Sequence, residues 1–232
     1  MAGVRQIAPR SRPRINIKQD EWLNETIDGY LTGVMTPPRV GVFHPSTLSN
    51  TCDRFVWLNY HGYMPSSVLD AKLARIFSNG NYLEKRVETW FKDLGILMGR
   101  EIPVKLADPP MSGRIDFIIM HQEHGISPIE LKSINTAGFG KLTAPKEEHS
   151  LQLQMYLNMG SYSVGTVLYE NKNDQTIKSF IVKRDEKQWD ELLERCRRIQ
   201  NMTEAPLKCT GAVWCNCKNV SAQDLLISQG GG

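Results

Sequence analysis

The chain has 232 residues, 41% hydrophobic and 23% charged, with a formal net charge of +3. This is an ordinary balance for a soluble globular protein of one large domain, or one domain with a small appendage. No apolar run approaches the roughly 20 residues needed to span a bilayer, and no apolar signal core opens the chain, so no membrane association and an intracellular location are expected.

The charge is unevenly spread. Arg5, Arg10, Arg12, Arg14 and Lys18 all precede the first acid, Asp20. A basic arm of this kind either touches phosphates or is a solvated tail. Five cysteines in an intracellular chain argue against a disulfide framework. Cys52 stands alone near the start, and Cys209, Cys215 and Cys217 fall within nine residues near the end. Four soft ligands so distributed fit a metal or cluster site.

In chain order, residues 1–40 read as loop, with one short helix near Glu21–Leu31. Pro45-Ser46-Thr47 opens a helix that carries Leu48, Cys52, Phe55, Val56 and Tyr60, ended by Gly62 and Pro65. A long helix is predicted from about Ser67 to Asp93. Its buried stripe is Leu69, Leu73, Phe77, Gly80, Leu83, Val87 and Phe91. Glu84 lies on that stripe beside Gly80, where another backbone is expected to approach closely, and it is a candidate ligand; a paired structural glutamate is the alternative.

Residues 96–106 read as a strand, followed by a turn at Asp108-Pro109-Pro110 and then GRIDFII, the polar turn HQEHGIS, and PIELKS. Side chains alternate along a strand, so Glu130 and Lys132 share one face and Ile129 and Leu131 the other. Two strands joined by the turn bring Asp116 beside that pair. Charges in apolar strands are costly unless paired or bound to a metal. Two converging carboxylates suit a hard divalent cation, and the lysine completes a site able to cut phosphate esters.

The segment after Ser133 is expected to be a mobile loop bearing Lys141 and Lys146. Its GFGKLT string lacks the spacing of a phosphate-binding loop, which argues against nucleotide binding. Glu147–Met159 is the next helix, with His149, Gln152 and Tyr156 on one face, either as a wall of the same cleft or as a plain polar side. Residues 163–170 and 176–183 form a hairpin across an Asn-Lys-Asn-Asp turn. The last helix opens at Asp185 or Lys187, buries Trp189, Leu192, Leu193, Cys196 and Ile199, and ends at Pro206. Cys196 is therefore a core residue, not a ligand.

The string GRIDFII…PIELKS resembles motifs II and III of the PD-(D/E)XK nuclease superfamily. Gly80-Asn81-Tyr82-Leu83-Glu84 looks like the GxxxE motif of its RecB-type and lambda-exonuclease-type branch, and His149 to Tyr156 is similar to that branch's HxxQxxxY helix. The segment Pro45 to Phe55 resembles the opening helix of the iron-sulfur members, among them the CRISPR-associated RecB-like exonucleases. Those bind a 4Fe-4S cluster through one cysteine before the core and three after it, as Cys52 and Cys209, Cys215 and Cys217 are distributed. Two departures are visible: the last three cysteines run C-x5-C-x-C with no CxxC pair first, which keeps structural Zn2+ as the alternative, and Glu84 stands where many members have histidine.

The resemblance implies an α/β restriction-endonuclease-like core, a central mixed β-sheet flanked by helices, with a cysteine-ligated cluster joining the N- and C-terminal segments. The expected division is a basic, partly disordered arm at 1–40, a nuclease domain at 41–205, a cysteine segment at 206–228 closing on Cys52, and a disordered tail at 229–232. Asp116, Glu130, Lys132, Gln152 and Tyr156 are expected to be catalytic. Glu84, Asp116 and Glu130 would hold Mg2+ or Mn2+, and His149, Lys141 and Arg114 would touch DNA. The implied activity is hydrolysis of DNA, as an exonuclease on single strands or duplex ends in a bacterial or phage-infected cytosol, with any helicase or recombination partner a separate chain. A structure-specific endonuclease and an inactive DNA-binding subunit are the alternatives.

Overall fold

The computed structural model describes residues 18–34, 39–64, 68–210 and 215–220. Arg5, Arg10, Arg12 and Arg14 of the expected N-terminal arm, residues 211–214 and 221–228 of the expected cysteine segment and the expected tail at 229–232 lie outside the described residues.

A five-stranded sheet forms the centre: β3 (Leu97–Leu106), β4 (Met111–His121), β5 (Gly125–Ile134), β6 (Val164–Asn171) and β7 (Ile177–Lys183), side by side in chain order. Every neighbouring pair is antiparallel except β5 with β6. That parallel step requires a crossover, and it carries the short helix α5 (Thr136–Gly140) and the helix α6 (Glu147–Met159). The remaining helices are α1 (Glu21–Leu31), α2 (Pro45–Leu48), α3 (Asp53–Tyr60), α4 (Ala71–Asp93) and α7 (Glu186–Asn201). Two-residue strands β1 (Gly33–Val34) and β2 (Val68–Leu69) pair antiparallel beside the main sheet.

Alternation along the strands sends apolar side chains to both faces. Leu83 and Val87 of α4 pack on Phe117, Ile119, Ile129 and Leu131 on one face. Leu153 and Leu157 of α6 pack with Ile118, Val167 and Tyr169 on the other. A third cluster joins α3, α7 and the C-terminal segment, with Val56, Leu58, Cys196, Ile199 and Cys217 all buried. Cys196 is fully buried there, a core residue as expected.

Several elements differ from the sequence reading. The stretch from Pro45 to Tyr60 is two helices, because Cys52 does not continue the first turn but caps the second: its backbone is extended and its Sγ accepts from Phe55 N at 3.4 Å. Leu69 belongs to β2, and α4 starts only after Asp70, whose carboxylate caps Leu73 N at 2.7 Å. The predicted α4 stripe is buried only from Leu83 onward. Phe77 is exposed, and a Cβ on Gly80 would meet nothing within 4 Å, so no backbone approaches there. The α4–sheet cluster begins at Leu83 and holds none of the stripe's earlier residues, which explains the difference.

The polar turn between β4 and β5 is shorter than predicted. Pairing runs on through Met120–Ile126 and His121–Gly125, and Gly125 (φ +69°) supplies the left-handed residue that lets the chain reverse so tightly. The segment after Ser133 is helical rather than an open loop, since Asn135 caps α5 by accepting from Gly138 N at 2.8 Å. The last helix ends at Asn201, five residues before Pro206.

Candidate active site and cysteine centre

Strand pairing sets the geometry of the first site. Phe117 lies opposite Ile129, so one step along the ladder Asp116 faces Glu130. Asp116 Oδ2 accepts from Leu131 N at 2.8 Å, which fixes its carboxylate against β5. Glu130 is only 1% exposed, in the middle of the sheet. Lys132 Nζ is 2.5 Å from Glu130 Oε1, an ion pair without hydrogen-bond alignment, and both carboxylate oxygens lack a hydrogen-bond partner. The lysine instead donates to Gln152 Oε1 at 3.2 Å, and Gln152 Nε2 donates to the Tyr156 hydroxyl at 3.2 Å. A chain of contacts therefore runs from the β5 acid to the inner face of α6. Gln152 and Tyr156 are buried, which assigns that helix face to the site wall and not to a solvated polar side.

The electrostatics follow from burial. Glu130 is pushed up to about 8, first by desolvation and then by the neighbouring Asp116 charge, against the pull of Lys132. Burial raises Asp116 to about 6, moderated by the Leu131 amide and Lys132. Glu84 acts on both acids as a further like charge. Its own carboxylate lies 3.5 Å from Arg100, which also holds Glu88. Two repelling carboxylates side by side, the buried one with no hydrogen bond to its oxygens, are a donor set that a hard divalent cation would satisfy. Asp116 and Glu130 suit such an ion, and Glu84 stands within electrostatic reach.

Tight packing holds the wall in place. A Cβ on Gly113 would sit 2.7 Å from Tyr156 Cε1 and 2.8 Å from Pro45 Cγ, so only glycine lets β4, α2 and α6 meet there. His149 hydrogen-bonds through Nδ1 to the Tyr169 hydroxyl at 2.8 Å, and that hydroxyl accepts from Lys146 N at 3.0 Å. Burial and the charges of Lys132 and Lys146 hold His149 down at about 3, so it is neutral beside Glu148. Tyr169 was invisible in the sequence as a site residue: its position in an apolar strand reads only as core. Arg114 is exposed and paired with Glu101 at 3.4 Å, and Lys141 caps α5 without an ion pair or a hydrogen bond to the carboxylates.

The second centre forms where the start of α3 meets the cysteines that follow α7. The sulfurs of Cys52, Cys209, Cys215 and Cys217 all lie within 4.8 Å of one another, and Cys209 and Cys217 are 3.4 Å apart. Among the described residues this is the one group of three or more metal-ligating side chains that converges so closely. Burial raises Cys52 to about 12. Burial also opposes ionisation of Cys217, but donors from Cys209, Cys215 and Cys52 outweigh it and bring that thiol down to about 7. The four thiols can hold a metal. A cleft of about 710 Å³ touches both centres, with Lys132, His149 and Gln152 in its lining together with Cys52, Cys209 and Cys215.

Arginines lock the loop that presents Cys52. Arg195 donates to Leu48 O (2.8 Å), Asn50 O (2.7 Å) and Asp53 (2.8 Å), and Arg198 reaches Asp53 at 2.7 Å. Burial works against the Asp53 charge, yet these two arginines hold its carboxyl below the usual range.

No family model matches the chain, and no curated protein matches it. Solved structures do. The protein SSO0001 superposes with a TM-score of 0.54 at 16% identity, covering 87% of this chain and 94% of its own. The alkaline exonuclease LHK-Exo of Laribacter hongkongensis gives 0.51 at 13% identity, covering 89% of this chain and 97% of its own. At such identities the likeness is one of fold. The chain thus shares the fold of an alkaline exonuclease.

Proposed function

We propose that the chain is a metal-dependent deoxyribonuclease, acting as an exonuclease on single strands or duplex ends. The observation that carries this reading is Glu130: a fully buried carboxylate with unpartnered oxygens, faced by Asp116 and touched by Lys132. The exonuclease LHK-Exo, with the same fold, supports DNA as the substrate. Asp116 and Glu130 would hold Mg2+ or Mn2+, with Glu84 adding an oxygen directly or through water. When bound, such an ion activates water and neutralises charge on the phosphate.

The chain's own residues supply the rest. Lys132, steered by Gln152, presents its ammonium to the attacking water or to the charge that develops on the phosphate. Tyr156 holds Gln152 through its hydroxyl, and neutral His149, held at Nδ1 by the Tyr169 hydroxyl, is a polar contact for the substrate in the cleft. Arg114 and Lys141 contact the strand farther out. The division proposed is a nuclease domain at 41–205 with a basic arm at 1–40 and a cysteine segment at 206–228.

The cysteines are proposed to bind a 4Fe-4S cluster that ties the two ends of the nuclease together, on their one-plus-three distribution. Sulfur separations of at most 4.8 Å favour a second reading, a single Zn2+, whose tetrahedral thiolates stand about 3.8 Å apart. Metal analysis of anaerobically purified protein decides: a brown preparation with iron supports the cluster, and a colourless one with stoichiometric zinc replaces it.

For the activity, end-labelled linear DNA and circular single-stranded DNA are incubated with Mg2+ or Mn2+. Degradation of linear DNA with circles intact fits an exonuclease, and linearised circles make it an endonuclease. No cleavage of any form sinks the enzymatic reading, and an Asp116→Ala protein as active as wild type sinks the site.

A further inference from the structure

Among the described residues, Arg54 is the one buried cation, and the two sites leave its role open. It sits in the first turn of α3, two residues after Cys52, and is only 6% exposed. An arginine stays charged at any physiological pH, and a buried charge normally sits against an opposite one. Among the described residues, no carboxylate lies within ion-pair distance of Arg54. Its three hydrogen bonds go to neutral carbonyls, all in the cysteine-bearing segment: Pro206 O at 2.7 Å, Val220 O at 3.3 Å and Cys217 O at 3.4 Å. By contrast Arg195 and Arg198, on the neighbouring helix, share Asp53. The interior therefore holds an uncompensated positive charge against the backbone of one cysteine ligand.

The charge missing from this inventory is that of the cysteine centre. Ligating thiols must be deprotonated. Four thiolates around a group of charge +2, whether Zn2+ or an oxidised 4Fe-4S core, leave a net charge of about −2 on the assembly. We infer that Arg54 is the counter-ion of the metal-thiolate centre, a positioning residue whose buried guanidinium stabilises the bound, anionic form of the four cysteines while its hydrogen bonds set the course of the C-terminal segment. Its planar fork reaches three carbonyls at once, one of them that of Cys217, which sets its charge beside the backbone of the cysteine centre. The inference rests on the proposal that the cysteines hold a metal.

The test compares wild type with Arg54→Gln and Arg54→Lys, each purified anaerobically with its metal in place. Metal release is followed as pH is lowered stepwise, with released iron or zinc captured by a chromophoric chelator and folding followed by circular dichroism. Loss of the counter-charge makes the four thiolates easier to protonate, so Arg54→Gln should lose roughly tenfold or more in affinity, which with four protons taken up on release moves release to a pH higher by about a quarter of a unit or more. Arg54→Lys, which keeps the charge but cannot span three carbonyls, releases it near the wild-type pH. Equal release curves for wild type and Arg54→Gln overturn the inference. So does an Arg54→Lys protein that loses its metal like Arg54→Gln or fails to fold, since geometry and not charge is then what the site requires. If Arg54→Gln does not fold, metal retention by folded Arg54→Lys carries the inference alone. Wild type purified without metal on these cysteines refutes the underlying metal reading instead, and the inference with it.

Discussion

Glu130→Gln separates stability from activity at one atom position. The wild-type carboxyl is raised from 4.5 to about 8 by burial and by Asp116. Below pH 4.5 it is protonated in both folded and unfolded chains and contributes nothing. As pH rises above 4.5 the unfolded chain ionises freely while the folded one holds its proton, so stability falls until the folded group ionises near pH 8. At pH 7 the penalty comes to about 3 kcal/mol, and at pH 5 to less than about 1 kcal/mol. Glutamine removes it, and the pull of Lys132 on the charged form is already contained in the raised value. The variant should therefore be about 3 kcal/mol more stable at pH 7 in the absence of divalent ions, raising the melting temperature by roughly 6–12 °C. The assay is calorimetry in buffer freed of divalent ions on a resin, at pH 5 and pH 7, with and without added Mg2+. The gain should shrink at pH 5, and Mg2+ should stabilise wild type and not the variant. A Glu130→Gln protein that melts below wild type at pH 7 refutes the reasoning, because the carboxylate would then be neutralised within the fold.

Three further outcomes follow from the packing. Gly113→Ala inserts a methyl between Tyr156 and the rigid Pro45 ring, at 2.7 and 2.8 Å, and should cost about 1–3 kcal/mol of stability and lower cleavage by displacing Tyr156, both read on one preparation by melting and nuclease assay. Gln154, two residues from Gln152, donates to Lys183 O at 2.6 Å and accepts from Asp185 N at 3.0 Å, far from Lys132; Gln154→Ala should lower stability by about 1–3 kcal/mol with kcat retained, whereas Gln152→Ala should reduce kcat about tenfold or more with little change in melting. Cys52→Ser should empty the cysteine centre, lowering its metal content at least tenfold, and should raise KM more than it lowers kcat.

The sequence carried the site further than the frame around it. The spacing of Glu130 and Lys132 and the face of His149, Gln152 and Tyr156 follow from strand and helix periods alone, and the structure brings Lys132, Gln152 and Tyr156 into one chain of contacts. Period failed where burial depends on what lies opposite. Leu73 and Phe77 repeat as faithfully as Leu83 and Val87, yet the sheet is met only by the later pair. Cys52 fits a helical spacing, but Asn50 Oδ1 accepts its N–H at 2.8 Å and breaks the helix before it. Contacts spanning more than 140 residues, such as Arg54 to Cys217 O or Arg195 to Asn50 O, leave no local pattern to read.

The two centres differ in how they are supported, and that difference decides how each failure should appear. Asp116, Glu130 and Lys132 sit on the two strands β4 and β5, paired with each other and, through β5, with β6, independent of the cysteines. The cleft's opposite lining, Ser49, Asn50, Thr51 and Cys52, is a loop held by Arg195 at its start and by the cysteines at its end. Releasing Cys52 removes the tie through its sulfur while Arg195 still holds Leu48, Asn50 and Asp53, so the wall loosens at Cys52 without unfolding the sheet. On the proposed function, the groups assigned to the phosphate keep their positions, and the surface assigned to the strand does not. A loss at the cysteines is therefore felt first as weaker substrate binding, and chemistry on the substrate that still binds proceeds nearly as before.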